Sequence, residues 1–217
     1  IAHTDARFPV TFVRGEGALL FDDTGKRYID MGSGIAVSVL GYGNPAWEAA
    51  VRKQAHDLSH VSNLYFTQPQ TLLAENLCQR SGMKRAFFGN SGAEANECAI
   101  KAARKYSADK HGENVRPVIV SLVNSFHGRT IATLAATGQE VFHHHFGPFP
   151  EGFAYAEPND LPALTKLLDE LPVCAVMVET VQGEGGVEPL DREYLTAVRA
   201  LTAERDVLLI VDEVQTG

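Results

Sequence analysis

Four short apolar runs, at residues 86–88, 118–123, 173–178 and 207–211, are each followed by a polar segment that carries chemistry. The first segment, Gly89-Asn90-Ser91-Gly92-Ala93-Glu94, leads into a long helical pattern. Ser91, Gly92 and Ala93 can therefore offer a hydroxyl and backbone N–H groups at a helix N-terminus, which suits a phosphate. A simple N-cap by Asn90 or Ser91 is the other reading. The second, Asn124-Ser125-Phe126-His127-Gly128-Arg129, supplies an aromatic ring that could stack on a flat ligand and a cation that could hold a carboxylate by two parallel hydrogen bonds. A core Phe126 and a solvent-facing Arg129 are the ordinary alternatives. The third carries Glu179 and Glu184 among glycines that permit close backbone approach to a ligand, or is a plain loop. The fourth sets Asp212 directly after apolar residues, where an ionised carboxylate is costly unless a cation meets it. A protonated ring nitrogen is one such partner; an arginine is the commoner one.

The elements that must position these segments follow from periodicity. Short apolar runs alternate with amphipathic stretches at 93–110, 161–171 and 192–205, the pattern of βαβ units and a largely parallel sheet, so the class is α/β. In such sheets ligands bind beyond the carboxyl ends of the strands, where all four segments would lie. Upstream, residues 18–21 and 26–29 flank Asp22-Asp23-Thr24-Gly25 and read as a hairpin. Two helices are expected at 45–58, with Trp47 and Val51 on one side, and at 69–80, with Leu72, Leu73 and Leu77 inward. Adjacent histidines share no helix face, so His143-His144-His145 reads as a solvated loop rather than a metal site.

The 217 residues are 45% hydrophobic and 21% charged, enough to bury a core. A formal net charge of −8 opposes an electrostatic nucleic-acid partner, which needs a basic face. The apolar runs are far shorter than the roughly 20 residues of a membrane span. No continuous apolar block marks residues 1–10 as a secretory signal. The scattered Cys78, Cys98 and Cys174 read as reduced core residues, which points to the cytoplasm.

A phosphate, a flat ring, a ring nitrogen needing a counter-charge and a carboxylate-bearing substrate together describe pyridoxal 5'-phosphate chemistry, in which an Asp keeps the pyridine nitrogen protonated. The motifs Ser91-Gly92-Ala93-Glu94-Ala95-Asn96-Glu97, Phe126-His127-Gly128-Arg129-Thr130, Glu179-Thr180-Val181-Gln182-Gly183-Glu184-Gly185-Gly186 and Asp212-Glu213-Val214-Gln215-Thr216-Gly217, in this order, resemble the signatures of class III pyridoxal-phosphate aminotransferases. Gly34-Ile35-Ala36-Val37 and Ser62-Asn63-Leu64-Tyr65-Phe66 with Pro69-Gln70 are most similar to the acetylornithine branch of that family, with the succinylornithine and ornithine branches close behind.

The resemblance implies a type I transferase large domain with helices on both faces of a mostly parallel sheet. It implies an N-terminal segment with a hairpin at 1–45 and part of the cofactor-binding domain at 46–217. Ser91, Gly92 and Ala93 would hold the phosphate, Phe126 would stack on the ring, and Val214 would pack on its other face. Asp212 would pair with the ring nitrogen and Gln215 with the ring hydroxyl, while Glu179 would support the cofactor side. Arg129 would bind the substrate carboxylate and Glu184 would stand near the substrate arm. His127 receives no role. Transfer from an acylornithine to 2-oxoglutarate, in arginine biosynthesis, by a homodimer is the implied activity; 4-aminobutyrate is a further candidate donor.

The family's Schiff-base lysine follows the fourth motif, and none of the seven lysines here does. The sheet's last strand also lacks a covering helix, so the chain is expected to be cut off inside a larger domain, without the C-terminal small domain. A non-catalytic binding fragment is the alternative of another class. A hydrolase reading of Gly89-Asn90-Ser91-Gly92-Ala93 lacks a histidine after its acid. Gly41-Tyr42-Gly43-Asn44-Pro45-Ala46 matches a dinucleotide fingerprint weakly, because no second strand with an acidic end follows it.

Overall fold

The computed structural model describes residues 2–4 and 6–217, in two compact units that divide between Lys84 and Arg85. In the first unit, strands β1 (Phe12–Glu16), β2 (Leu19–Asp22) and β3 (Arg27–Ile29) form an antiparallel sheet in that order. The expected hairpin is β2–β3, and Asp22 builds its turn. One carboxylate oxygen accepts from the Thr24 amide at 3.0 Å, the Thr24 hydroxyl at 2.7 Å and the Lys26 amide at 2.9 Å, and the other from Tyr28 Oη at 2.8 Å. Gly25, at φ 84°, supplies the left-handed position. Strand β1 escapes pattern reading because Arg14, Gly15 and Glu16 break its apolar alternation.

Helix α1 (Ser33–Ala36) is an irregular turn with left-handed residues inside it. The run before Gly41 is therefore no strand, and the dinucleotide fingerprint loses the strand it requires. Helices α2 (Pro45–Asp57) and α3 (Gln68–Ser81) match their expected positions; Asn44 caps α2 by accepting from the Trp47 amide at 3.0 Å. Their apolar faces are not inward, however, since neither helix has a buried residue and Trp47, Val51, Leu72 and Leu73 are exposed. Periodicity states that a face can be covered, not that this chain covers it.

The second unit holds the parallel sheet. Its order is β5 (Phe153–Ala156), β4 (Val118–Leu122), β6 (Val173–Glu179), β9 (Leu208–Asp212), with every neighbouring pair parallel. Strand β6 lies between two others and is buried at all seven positions, so it reads in sequence as a continuous apolar run. On one face Val120, Val176 and Val178 pack with Leu164 of α6 (Leu161–Glu170) and with Tyr194 and Val198 of α7 (Arg192–Glu204). On the other, Ile119, Ala175 and Met177 pack with Ile100 and Ala103 of α4 (Gly92–His111) and Ala136 of α5 (Ile131–Ala136). Each of these larger side chains, fully buried, stabilises the unit by about 1.5–3 kcal/mol.

Residues 86–88 form no strand: they make no ladder bonds among the described residues, and Phe87 is largely exposed. A strand is defined by its neighbour, which an apolar triplet alone does not specify. Cys174 is buried as expected, but Cys78 and Cys98 are only half-buried. In the histidine triplet, His144 and His145 are exposed as expected, while His143 is half-buried: its Nε2 lies 2.9 Å from both the Leu134 and Thr137 carbonyls at the end of α5. Strand β5 and helix α5 were not foreseen, because four and six residues are too few to display a period.

Candidate active site

Because every strand of the second sheet is parallel, their carboxyl ends share one edge, and β6 and β9 end there in register on Glu179 and Asp212. Both carboxylates complete their strands rather than opening the loops. Around them the four sequence segments meet.

The first segment starts α4. Ser91 is its N-cap, with Oγ accepting from the Glu94 amide at 3.2 Å, while the Ser91 carbonyl accepts from the Ala95 amide at 3.0 Å. The amides of Gly92 and Ala93 have no acceptor among the described residues, as the first turn of a helix requires. The capping and phosphate-site readings are thus compatible. A hydrolase nucleophile is not supported, since the Ser91 hydroxyl has no imidazole partner among the described residues.

The fourth segment touches the first directly. A β-carbon on Gly92 would stand 2.7 Å from Val214 Cγ2, so position 92 must lack one for Val214 to lie where it does. Asp212 is 7% exposed, and its partners are not an arginine. Oδ2 accepts from Asn96 Nδ2 at 2.7 Å and lies 2.8 Å from His127 Nδ1, while Oδ1 accepts from the Val214 amide at 3.1 Å. Burial works to raise its pKa, but the hydrogen bonds from His127, Asn96 and the Val214 amide hold it below the usual carboxylate value.

The second and third segments join through Glu179, which accepts from the Phe126 amide at 3.0 Å. Burial pushes Glu179 up; the Phe126 hydrogen bond and His127 oppose this, and the nearby Asp212 adds to it. Gly185 lies so close to the Asn124 carbonyl that a β-carbon there would be 2.6 Å from its oxygen. The third segment is no plain loop, because Val181–Gln182 (β7) and Glu188–Pro189 (β8) pair as a small ribbon. Gln215 reaches Gly183 of this ribbon: a β-carbon on Gly183 would meet the Gln215 side chain at 3.6 Å. Gly128, at φ 134°, is held against Ala93 in the same way, at 2.8 Å.

Arg129 and Glu184 sit at the margin. Arg129 is exposed, its guanidinium 4.3 Å from the Phe142 ring centroid and 5.6 Å from that of Phe126, which packs edge-on against Phe142. A charge stacked this way keeps its N–H fork available to a carboxylate. Glu184 accepts from Gln139 Nε2 at 2.5 Å, and the same amide donates to the Ser125 carbonyl at 3.2 Å.

Asn96, His127 and Gln139 are the residues that motif reading passed over. Asn96 was the most accessible of them, because position 96 lies one turn beyond Gly92 and shares its helix face. Gln139 lies outside all four motifs, and only the folded chain brings it to Glu184.

The arrangement can hold an anion at the α4 amides and a cationic N–H at Asp212, with an aromatic ring and a guanidinium nearby. The chain matches the family model described as Aminotransferase class-III over residues 1–217. It is 55% identical over 217 residues to an acetylornithine aminotransferase of Haemophilus ducreyi, covering 100% of this chain and 55% of that one. It is 53% identical over 218 residues to an acetylornithine aminotransferase of Wolinella succinogenes, again covering 100% and 55%. Its fold superposes on the ornithine aminotransferase of Toxoplasma gondii with a TM-score of 0.94 and 32% identity, covering 100% of this chain and 52% of that one. For the N-acetylornithine aminotransferase of Stenotrophomonas maltophilia the values are 0.82 and 38%, covering 96% and 52%. The chain spans about half the length of the curated relatives it matches. It belongs to the class-III aminotransferases.

Proposed function

We propose that this sequence belongs to a pyridoxal-phosphate-dependent aminotransferase that moves the amino group of N-acetylornithine, or a close acylornithine, to 2-oxoglutarate. The observation that carries the reading is Asp212: a buried carboxylate held below the usual carboxylate pKa at the sheet edge, beside the first-turn amides of α4, which have no acceptor among the described residues. This donor set fits the cofactor. The Gly92 and Ala93 amides and Ser91 would hold its phosphate, Phe126 and Val214 its ring faces, Asp212 its ring nitrogen and Gln215 its ring hydroxyl. Glu179 would support the cofactor side. Once bound there, the cofactor supplies an electron-accepting pyridinium ring.

The chain's own residues then have separable tasks. Asp212 keeps a proton on the ring nitrogen by offering it a fixed negative charge. Arg129, stacked on Phe142, orients the substrate carboxylate, and Glu184, tied to Gln139, faces the substrate arm. The amine that moves the substrate proton would come from the part of the family length this sequence does not span. A cytoplasmic homodimer acting in arginine biosynthesis completes the proposal, with residues 46–217 as part of the cofactor-binding domain. The acetylornithine aminotransferase names of the two relatives cited support the donor.

The test is steady-state kinetics on a protein of full family length carrying this sequence, hereafter the full-length protein. The donors to compare are N-acetylornithine, N-succinylornithine, ornithine and 4-aminobutyrate. The highest kcat/KM is expected for an acylornithine; a preference for 4-aminobutyrate refutes the donor assignment. Asp212→Ala is expected to slow turnover strongly while cofactor still binds, and near-normal turnover contradicts its role.

A further inference from the structure

Two side chains outside the tasks above converge on one oxygen of Asp212. Asn96 has two amide hydrogens and a use for each: Nδ2 donates to Asp212 Oδ2 at 2.7 Å and to the His127 carbonyl at 2.9 Å. It thereby ties α4 to the loop after β4 and to the end of β9. The His127 ring is fully buried, its Nδ1 stands 2.8 Å from the same Oδ2, and its amide donates to Thr137 Oγ1 at 2.9 Å. A backbone bond on each side and a dry setting leave this ring one orientation.

A carboxylate oxygen only accepts, so Nδ1 is the ring nitrogen that donates to Asp212 Oδ2. His127 Nε2 is buried with no hydrogen-bond partner among the described residues. The other titratable group facing the pair is Glu179, from β6, whose own carboxyl is engaged by the Phe126 amide. On Asp212, Oδ2 is occupied twice from the protein side, whereas Oδ1 accepts from the Val214 amide at 3.1 Å, a longer bond.

We propose that Asn96 and His127 are positioning residues: they lock Oδ2 of Asp212 from behind, so that Oδ1 meets the protonated ring nitrogen of the cofactor as a fixed anion. The proposal rests on the pyridoxal-phosphate reading and adds two residues to it.

The experiment uses the full-length protein loaded with pyridoxal phosphate labelled with ¹⁵N in the ring, and follows the ring-nitrogen chemical shift against pH. With Oδ2 released, Asp212 can turn Oδ1 away from the ring nitrogen, so losing either donor should lower the pH of ring deprotonation by about one unit, a tenfold change. That shift is expected for Asn96→Ala and for His127→Phe, which keeps the ring volume without the donor. His127→Asn, which returns an N–H near the Nδ1 position, should recover most of it. A purely structural role would lower the melting temperature of the cofactor-free protein and leave the ring titration in place, and that result overturns the proposal. If His127→Phe does not fold, an unmoved titration in Asn96→Ala overturns it equally. Failure of the unsubstituted protein to bind pyridoxal phosphate removes both this inference and the reading beneath it; binding with identical titrations in all variants removes this inference alone.

Discussion

The methyl carbons of Val214 close on the α-carbon of Gly92: a β-carbon at position 92 would stand 2.7 Å from Cγ2 and 3.0 Å from Cγ1. The start of α4 and the segment after β9 therefore fit together only because residue 92 has no side chain. Helix propensity favours alanine over glycine by about 1 kcal/mol, so Gly92→Ala tests the contact and not the helix. In the full-length protein the substitution is expected to displace Val214 and weaken pyridoxal-phosphate binding about tenfold, with folding stability nearly unchanged. Adding Val214→Ala should restore affinity, with a coupling of about 0.5–3 kcal/mol in a double-mutant cycle read by fluorescence titration. Additive effects would show that the two residues act independently.

Glu179 combines a buried carboxylate with a backbone donor, the Phe126 amide at 3.0 Å. Burial raises its pKa, so the folded protein binds the proton more tightly than the unfolded chain does, and ionisation opposes folding. The opposition is absent below the unfolded value of about 4.3 and complete once the pH passes the raised folded value. Glu179→Gln keeps an oxygen for the Phe126 amide and removes the charge. Its stability relative to the unsubstituted protein should therefore be better at pH 8 than at pH 4, measured by urea denaturation. Glu179→Ala leaves the amide without its acceptor and should cost about 1–3 kcal/mol at both pH values. The reverse ordering of Glu179→Gln with pH would refute the burial argument.

The first-unit hairpin gives the opposite sign. The Thr24 hydroxyl, with Tyr28 and the Lys26 and Thr24 amides, outweighs the effect of burial and lowers Asp22 to about 2. Its contribution is complete above the unfolded value of about 3.9 and is lost as the pH falls through about 2. The unsubstituted protein should lose stability over that window, and Asp22→Ala should be less stable at pH 6 yet flatter across it. Parallel acid profiles for the two would remove Asp22 as the source.

What the sequence made legible were the features that repeat or cluster. Strand β6 stood out because burial on both faces makes it a continuous apolar run, β4 and β9 because they are short and mostly apolar, and the four segments because the sheet delivers them to one edge. The partners of the charges were not legible. Asp212 called for a cation, and the fold met it instead with the neutral amide of Asn96 and the ring of His127, from elements distant in the chain. Such pairing depends on which helix face and which loop dihedral reach the strand end, and no local pattern encodes that. Residues 86–88 show the same limit from the other side: an apolar triplet with no neighbouring strand to bond among the described residues forms no strand.

Arg129 tests whether the margin of the site reads the substrate. Its guanidinium carbon lies 4.3 Å from the Phe142 centroid, so the cation rests over a ring. Lysine keeps the charge but cannot present two parallel donors. Arg129→Lys in the full-length protein should raise KM for the amino donor by about tenfold to a hundredfold, the loss of one charge-assisted hydrogen bond, while leaving pyridoxal-phosphate affinity unchanged. Phe142→Ala removes the platform without touching the charge and should raise KM in the same direction by a smaller factor. If both variants keep the original KM, the substrate carboxylate is held elsewhere; if Arg129→Lys loses cofactor instead, Arg129 belongs to the cofactor site and not to the substrate.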